Sequence, residues 1–191
     1  REDNRERRTL SETLHFSGAR LSEVLALTIG RVALDQHSIT LETLKKPRRG
    51  VYRTVPLPAE MVERLDLVHG VRERQQQGKN DERLWPFSRT TGWRIVKGVM
   101  QQAGIASENA ATAKGLRHGY GVAAITQGVP LNMAQKWLGH ASITTTAIYA
   151  DAVGEEERSI ATRMRDEGGC CPFVPSYWTT RWNWLKAALV C

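Results

Sequence analysis

The sequence predicts an α+β domain, mostly α-helical, with one small three-stranded antiparallel sheet. Three observations carry that prediction. Apolar residues recur at helical period through most of the chain, as in Leu21, Val24, Leu25 and Leu27, or Met61, Leu65 and Val68. Residues 32–34, 38–44 and 51–55 break that period with short β-prone runs, separated by turn-forming residues 35–37 and 47–50. Glycine and proline then cut the second half into short helices, at Gly104, at Gly128-Val129-Pro130 and at Gly139.

The 191 residues suit one domain of ordinary size, or one domain and a tail; a composition 41% apolar and 25% charged places the chain in the soluble class. No apolar run is long enough to span a bilayer, and no signal peptide opens the chain, so a membrane partner is not expected. A net charge of +7 favours a polyanionic partner, although basicity alone does not establish one. The three cysteines, Cys170, Cys171 and Cys191, all lie in the tail without metal-ligand spacing, which fits a cytoplasmic location. The chain starts at Arg1 without methionine and reads as a fragment or a trimmed protein.

In chain order, residues 1–8 are a charge run, a frayed start or first turn, and residues 9–16 read as a helix ended by Ser17-Gly18. A second helix follows, with Arg20 at its mouth, where it either reaches a ligand or pairs with Glu23 on the surface. The second hairpin of the sheet is strongly basic, with Lys45, Lys46, Arg48, Arg49 and Arg53: either a solvated cationic edge that discourages strand pairing or a finger that contacts DNA. Residues 58–77 read as one helical segment, and residues 90–103 as an amphipathic helix stopped by Gly104. Trp85 and Trp93 are expected in the core or as a helix brace; Arg89, Arg94 and Lys97 could add phosphate contacts. Residues 155–165 read as a charged helix. Beyond Gly168-Gly169, Trp178, Trp182, Leu185 and Leu189 fall on one helical face. We therefore expect a domain over residues 1–166 and a tail over 167–191, the tail being either an amphipathic docking helix or an end without an evolved role.

Residues 114–149, KGLRHGYGVAAITQGVPLNMAQKWLGHASITTTAIYA, gather the chemistry. Lys114 and Arg117, three apart in a helical run, project from one face. A second helix over residues 131–138 ends at Gly139-His140, and Ser142 can cap a third that carries Tyr149. Two cations, an imidazole and a phenol suffice to attack a phosphodiester: the cations hold the phosphate charge and the phenol is the nucleophile. His118 is expected as a buried, hydrogen-bonded core residue on a different helical face from Arg117. His15, His37 and His69 show no ligand spacing, and no metal site is predicted.

These residues resemble the catalytic core of the tyrosine recombinases, the phage-type integrases. Leu116-Arg117-His118, Leu138-Gly139-His140 and Tyr149 stand at the family's H-x-L-R-H, L-G-H and tyrosine spacing, and Gly18-Ala19-Arg20-Leu21-Ser22-Glu23 resembles its first arginine box. The resemblance covers roughly residues 9–165 and implies a tyrosine-recombinase catalytic-domain fold. It implies a site-specific recombinase or integrase that cuts and rejoins DNA through a 3′-phosphotyrosyl intermediate, independent of metal and cofactor. In that reading Arg20 and Arg117 clamp the non-bridging oxygens and His140 hydrogen-bonds the phosphate. The family's hairpin lysine, the general acid, falls on Lys45 or Lys46; Lys45 is favoured because it ends the strand. Lys46, Arg48, Arg49 and Arg53 would contact DNA. Lys114 departs from the pattern by standing where most members have histidine: an ordinary lysine, with a pKa of about 10.4, is already protonated near neutral pH. Either burial between Arg20 and Arg117 makes it a base, or it is a third phosphate clamp; the clamp is preferred, with the base unassigned. Nothing upstream corresponds to the family's N-terminal DNA-clamping domain, so weak, steeply salt-dependent binding to double-stranded DNA is expected. The resemblance further implies a monomer when free and a homo-tetramer on paired DNA sites. Two alternatives stay open: a catalytically impaired DNA-binding protein of the same fold, motivated by Lys114, and a type IB topoisomerase-like nicking enzyme.

Overall fold

A computed structural model of the chain describes residues 2–43, 50–105 and 111–151. Eight helices and three strands run in the order α1 (Glu2–Ser17), α2 (Leu21–Leu25), β1 (Val32–Ala33), β2 (Ser38–Glu42), β3 (Tyr52–Pro56), α3 (Ala59–His69), α4 (Val71–Gln76), α5 (Arg89–Gln102), α6 (Ala113–Thr126), α7 (Leu131–Leu138) and α8 (Thr144–Asp151) among the described residues. The sheet is antiparallel in the order β1-β2-β3, with Val32 opposite Ile39 and Leu41 opposite Arg53. The architecture is the mostly helical α+β fold with a small sheet that the sequence predicts.

The core forms where α1, α2, α3 and α5 meet the inner face of the sheet. Leu10, Leu14, Val24, Ile39, Leu65 and Val96 are completely buried there. Trp85 is also completely buried, and its indole N–H donates to the Glu6 carbonyl (3.1 Å) and the Thr9 hydroxyl (3.3 Å). The Thr9 hydroxyl also lies 2.9 Å from His69 Nε2. Burial, followed by the nearby charge of Arg74, pushes the His69 pKa down to about 4.

Of the two alternatives for the charge run up to Arg8, the structure takes the helical one, continuous with α1; Arg8 and Arg64 both pair with Glu12. Three features differ from the sequence reading. The single helix expected over residues 58–77 is two helices, because Gly70 adopts φ 59, a left-handed conformation that closes α3 and redirects the chain into α4. Trp93 is exposed rather than in the core, with Lys97 Nζ 5.2 Å above its ring. His118 is exposed as well, and its surroundings belong to the site below. The helix expected at 155–165 and the whole tail over 167–191 lie outside the described residues.

Candidate active site

The site is built by the start of α2, the first half of α6, the turn after α7, and α8. Arg20 is the N-cap of α2, in extended conformation (φ −77, ψ 145) after the left-handed Gly18. Glu23, three residues on, accepts from the Arg20 backbone N–H (3.1 Å) and from Arg20 Nη1 (2.8 Å). The pairing that could have made Arg20 an ordinary surface residue therefore exists. Its partner is a completely buried carboxylate, and the guanidinium stays about a quarter exposed, 27% by side chain. Burial alone would raise the pKa of Glu23, but the hydrogen bond and charge of Arg53, then the bonds from Arg20, bring it below the ordinary value.

Arg117 arrives from the first turn and a half of α6, whose N-cap Thr112 accepts from the Gly115 N–H. Its Nη1 donates to the Gly18 carbonyl (2.8 Å) and its Nη2 to the Leu138 carbonyl (2.7 Å), so one guanidinium ties the start of α2 to the end of α7. Burial, then the charge of Arg20, lowers its pKa to about 10, still well above neutrality. Arg20 thus stands close enough for its charge to act on Arg117.

Gly139 closes α7 at φ 67, and His140 follows it, with Nδ1 2.9 Å from the Thr146 hydroxyl of α8. Burial, followed by the charges of Arg117, Arg20 and Arg53, pushes the His140 pKa down to about 4. The imidazole is therefore neutral at physiological pH.

Tyr149 comes from α8, only 8% exposed. Its ring stacks on His140 (centroids 6.1 Å, planes 19° apart) and tilts against His118 at 5.2 Å. Beneath it lies Gly121, where a Cβ would come within 2.6 Å of Cε2 of the ring. The glycine is the floor on which the phenol sits. His118 is therefore not the buried core histidine expected from sequence. It is an exposed imidazole beside the phenol, one helical turn before Gly121 on α6.

Arg20, Arg117, His140 and Tyr149 thus meet, from three separate stretches of chain. Lys114 lies on the α6 face of Arg117 one turn earlier, but it is exposed rather than buried between the arginines, which favours the phosphate clamp over the base. Lys45, Lys46, Arg48 and Arg49 lie outside the described residues. Arg53 contradicts its expected DNA contact. It is buried, 7% exposed, and its guanidinium is committed to Glu23 Oε2 (2.6 Å), Thr43 Oγ1 (3.1 Å) and the Trp137 carbonyl (2.8 Å). The reason is strand alternation: Tyr52 and Thr54 face out, so Arg53 and Val55 face in. That alternation was the available signal for Arg53, and for Glu23 it was its place on the buried face of α2. Among the described residues no group of three or more His, Cys, Asp or Glu side chains is placed to hold a metal ion, and no helix is long and apolar enough to cross a membrane.

A helical domain with a small sheet, carrying two arginines, a histidine and a tyrosine at one end, is the catalytic-domain fold of the tyrosine recombinases. The crystal structure of the XerA recombinase matches this fold with a TM-score of 0.64 at 24% identity, covering 87% of this chain and 65% of the other. The XerH site-specific recombinase in a post-cleavage complex with a palindromic difH substrate matches at 0.65 and 26% identity, over 84% and 46% of the two chains. Residues 2–156 match the phage integrase family, and the chain belongs to that family. Among curated relatives, the tyrosine recombinase XerD of Neisseria meningitidis serogroup B is 32% identical over 149 residues, 74% of this chain and 49% of the relative. XerD of Mycobacterium tuberculosis H37Rv is 29% identical over 150 residues, 74% of this chain and 46% of the relative. The chain spans about half the length of the curated relatives it matches.

Proposed function

We propose that this domain cuts and rejoins strands of double-stranded DNA at specific sites through a 3′-phosphotyrosyl intermediate. The observation that carries the reading is the meeting of Tyr149 with His140 and Arg117, beside Arg20. The Tyr149 oxygen attacks the phosphorus of a DNA phosphodiester and its proton passes to water. The bond to the 5′-oxygen breaks, and that oxygen takes a proton from Lys45 or Lys46 on the basic hairpin. Arg20 and Arg117 hold the non-bridging oxygens; guanidinium forks suit this because they stay charged and bind two oxygens at once. A preorganised donor of this kind contributes a factor of about 10² to 10³. Neutral His140 donates from its free ring nitrogen, fixed by Thr146. Lys114 adds a further cation at the exposed edge.

Attack by a 5′-hydroxyl of another strand reverses the step. Because the covalent link conserves the phosphodiester energy, neither a nucleotide cofactor nor a metal is needed. The reading includes a monomer when free, a homo-tetramer on paired sites, and a cytoplasmic location beside its DNA. The domain then occupies residues 1–166, with 167–191 as a tail. The replacement of the family's histidine by exposed Lys114 favours a second reading, a DNA-binding protein of the same fold with impaired turnover.

The test is a nicked suicide duplex carrying the recombination site of the DNA element that encodes the chain. We expect a covalent protein–DNA adduct that Tyr149→Phe abolishes. Stable binding without adduct, even with a DNA-clamping domain supplied, would instead establish the second reading. Relaxation of supercoiled plasmid without exchange between sites would point to topoisomerase-like nicking.

A further inference from the structure

Arg53 does not belong to the DNA-facing surface, yet its buried guanidinium is fully engaged. Each of its three nitrogens has a different partner, and each partner leads to a different part of the site. Nη2 holds the Glu23 carboxylate, which in turn holds the side chain and backbone of Arg20. Nη1 holds Thr43, the last described residue before the basic hairpin. Nε holds the Trp137 carbonyl, three residues before His140. The guanidinium also lies flat under the turn that bears the histidine: a Cβ at Gly139 would come within 2.9 Å of its Cζ.

We propose that Arg53 is a positioning residue that locks together the Arg20 cap, the base of the basic hairpin and the His140 turn. This rests on the recombinase reading for what those groups do, but the linkage itself can be tested without DNA. A guanidinium is needed for its geometry as well as its charge. It is planar with donors in three directions, whereas a lysine ammonium on a flexible stem cannot satisfy α2, the end of β2 and the end of α7 simultaneously. The ionic balance agrees. Glu23 is one buried anion facing Arg20 and Arg53, and His140 senses Arg117, Arg20, Arg53 and Glu23 together.

The test uses Arg53→Lys and Arg53→Gln in the whole chain, with three measurements. Amide hydrogen exchange at Gly139 and His140, whose N–H groups bond back to Gln135, should accelerate at least about tenfold in both variants, because lysine restores charge but not the fork. The imidazole NMR titration of His140 should move up by about one pH unit in Arg53→Gln and much less in Arg53→Lys. Binding to a short duplex of random sequence should keep its salt slope in Arg53→Gln, whereas loss of a phosphate contact would lower that slope by about one. Unchanged exchange at Gly139 and His140 in a folded Arg53→Lys, or a reduced salt slope in Arg53→Gln, overturns the proposal. Should either Arg53 variant fail to fold, Thr43→Val removes one of the three bonds. The proposal then requires faster exchange at residues 139–140, on a different element, and an effect confined to the hairpin overturns it. A chain that binds no DNA at all would count against the recombinase reading and leave the exchange result to decide on Arg53.

Discussion

The Tyr149 phenol is held by contacts that its own segment does not supply. Its floor is Gly121 on α6, and its two ring neighbours are His118 and His140. Gly121→Ala should therefore displace the ring, since real Cβ atoms do not approach a neighbour to 2.6 Å. We expect adduct formation to fall at least tenfold while duplex binding is unchanged, measured by a suicide-substrate time course beside a gel-shift titration. Lys114 is tested the same way: Lys114→Ala should lose more activity than Lys114→His, because histidine also donates to a phosphate. Equal rates for all three proteins would place residue 114 outside the site. The sequence order was enough to bring out Arg20, Arg117, His140 and Tyr149. It misassigned His118 because that residue's contact with Tyr149 depends on packing that local periodicity does not contain. For Arg53 the strand alternation carried the inward face, and only its partner Glu23, 30 residues away, was a matter of packing.

At the scale of elements, helix ends do the positioning. α2 begins at Arg20, α7 ends at Gly139 beside His140, and Arg117 from α6 bonds a carbonyl next to each of those ends. Gly139 is the vulnerable joint, left-handed at φ 67 and packed on Arg53. Gly139→Ala should cost about 1–2 kcal/mol from the backbone alone. A denaturant melt would show it as a lower midpoint, and the adduct yield should fall with it. Periodicity located most helices and the three strands to within a residue or two. It missed the break at Gly70, where a single left-handed glycine in a polar stretch outweighs continuous helix propensity on either side. It also expected Trp93 in the core or as a helix brace; the ring is exposed, with Lys97 of the same helix over it.

For the whole molecule, pH connects stability with the core. His69 is buried against Thr9 and Trp85 and titrates near 4, below the ordinary 6.5. The folded state therefore binds fewer protons than the unfolded chain between those values. Its stabilising effect is complete above about pH 6.5 and is lost as pH falls toward 4, amounting to about 3 kcal/mol at full loss. Thermal melts from pH 7 to pH 4 should show that decline, and His69→Gln should reduce it, leaving the part that the lowered His140 and His15 contribute. His140, lowered to about 4 as well, keeps the site uncharged at the imidazole across the same range, so acid should impair stability before it protonates the site. The fold class was legible because helix period and strand alternation are local. The joining of α2, β3, α6 and α7 around Glu23, Arg53 and Arg117 was not, because it is a property of the assembled core.

The proposed reaction joins Tyr149 covalently to DNA. Peptide mapping by mass spectrometry of the trapped adduct tests it most directly, since the chain carries four tyrosines that could in principle react. The expected result is a nucleotide remnant on the peptide containing Tyr149, attached through a 3′-phosphate, with a free 5′-hydroxyl on the released strand. A remnant on Tyr52, Tyr120 or Tyr177, or a 5′-phosphate linkage, would contradict it.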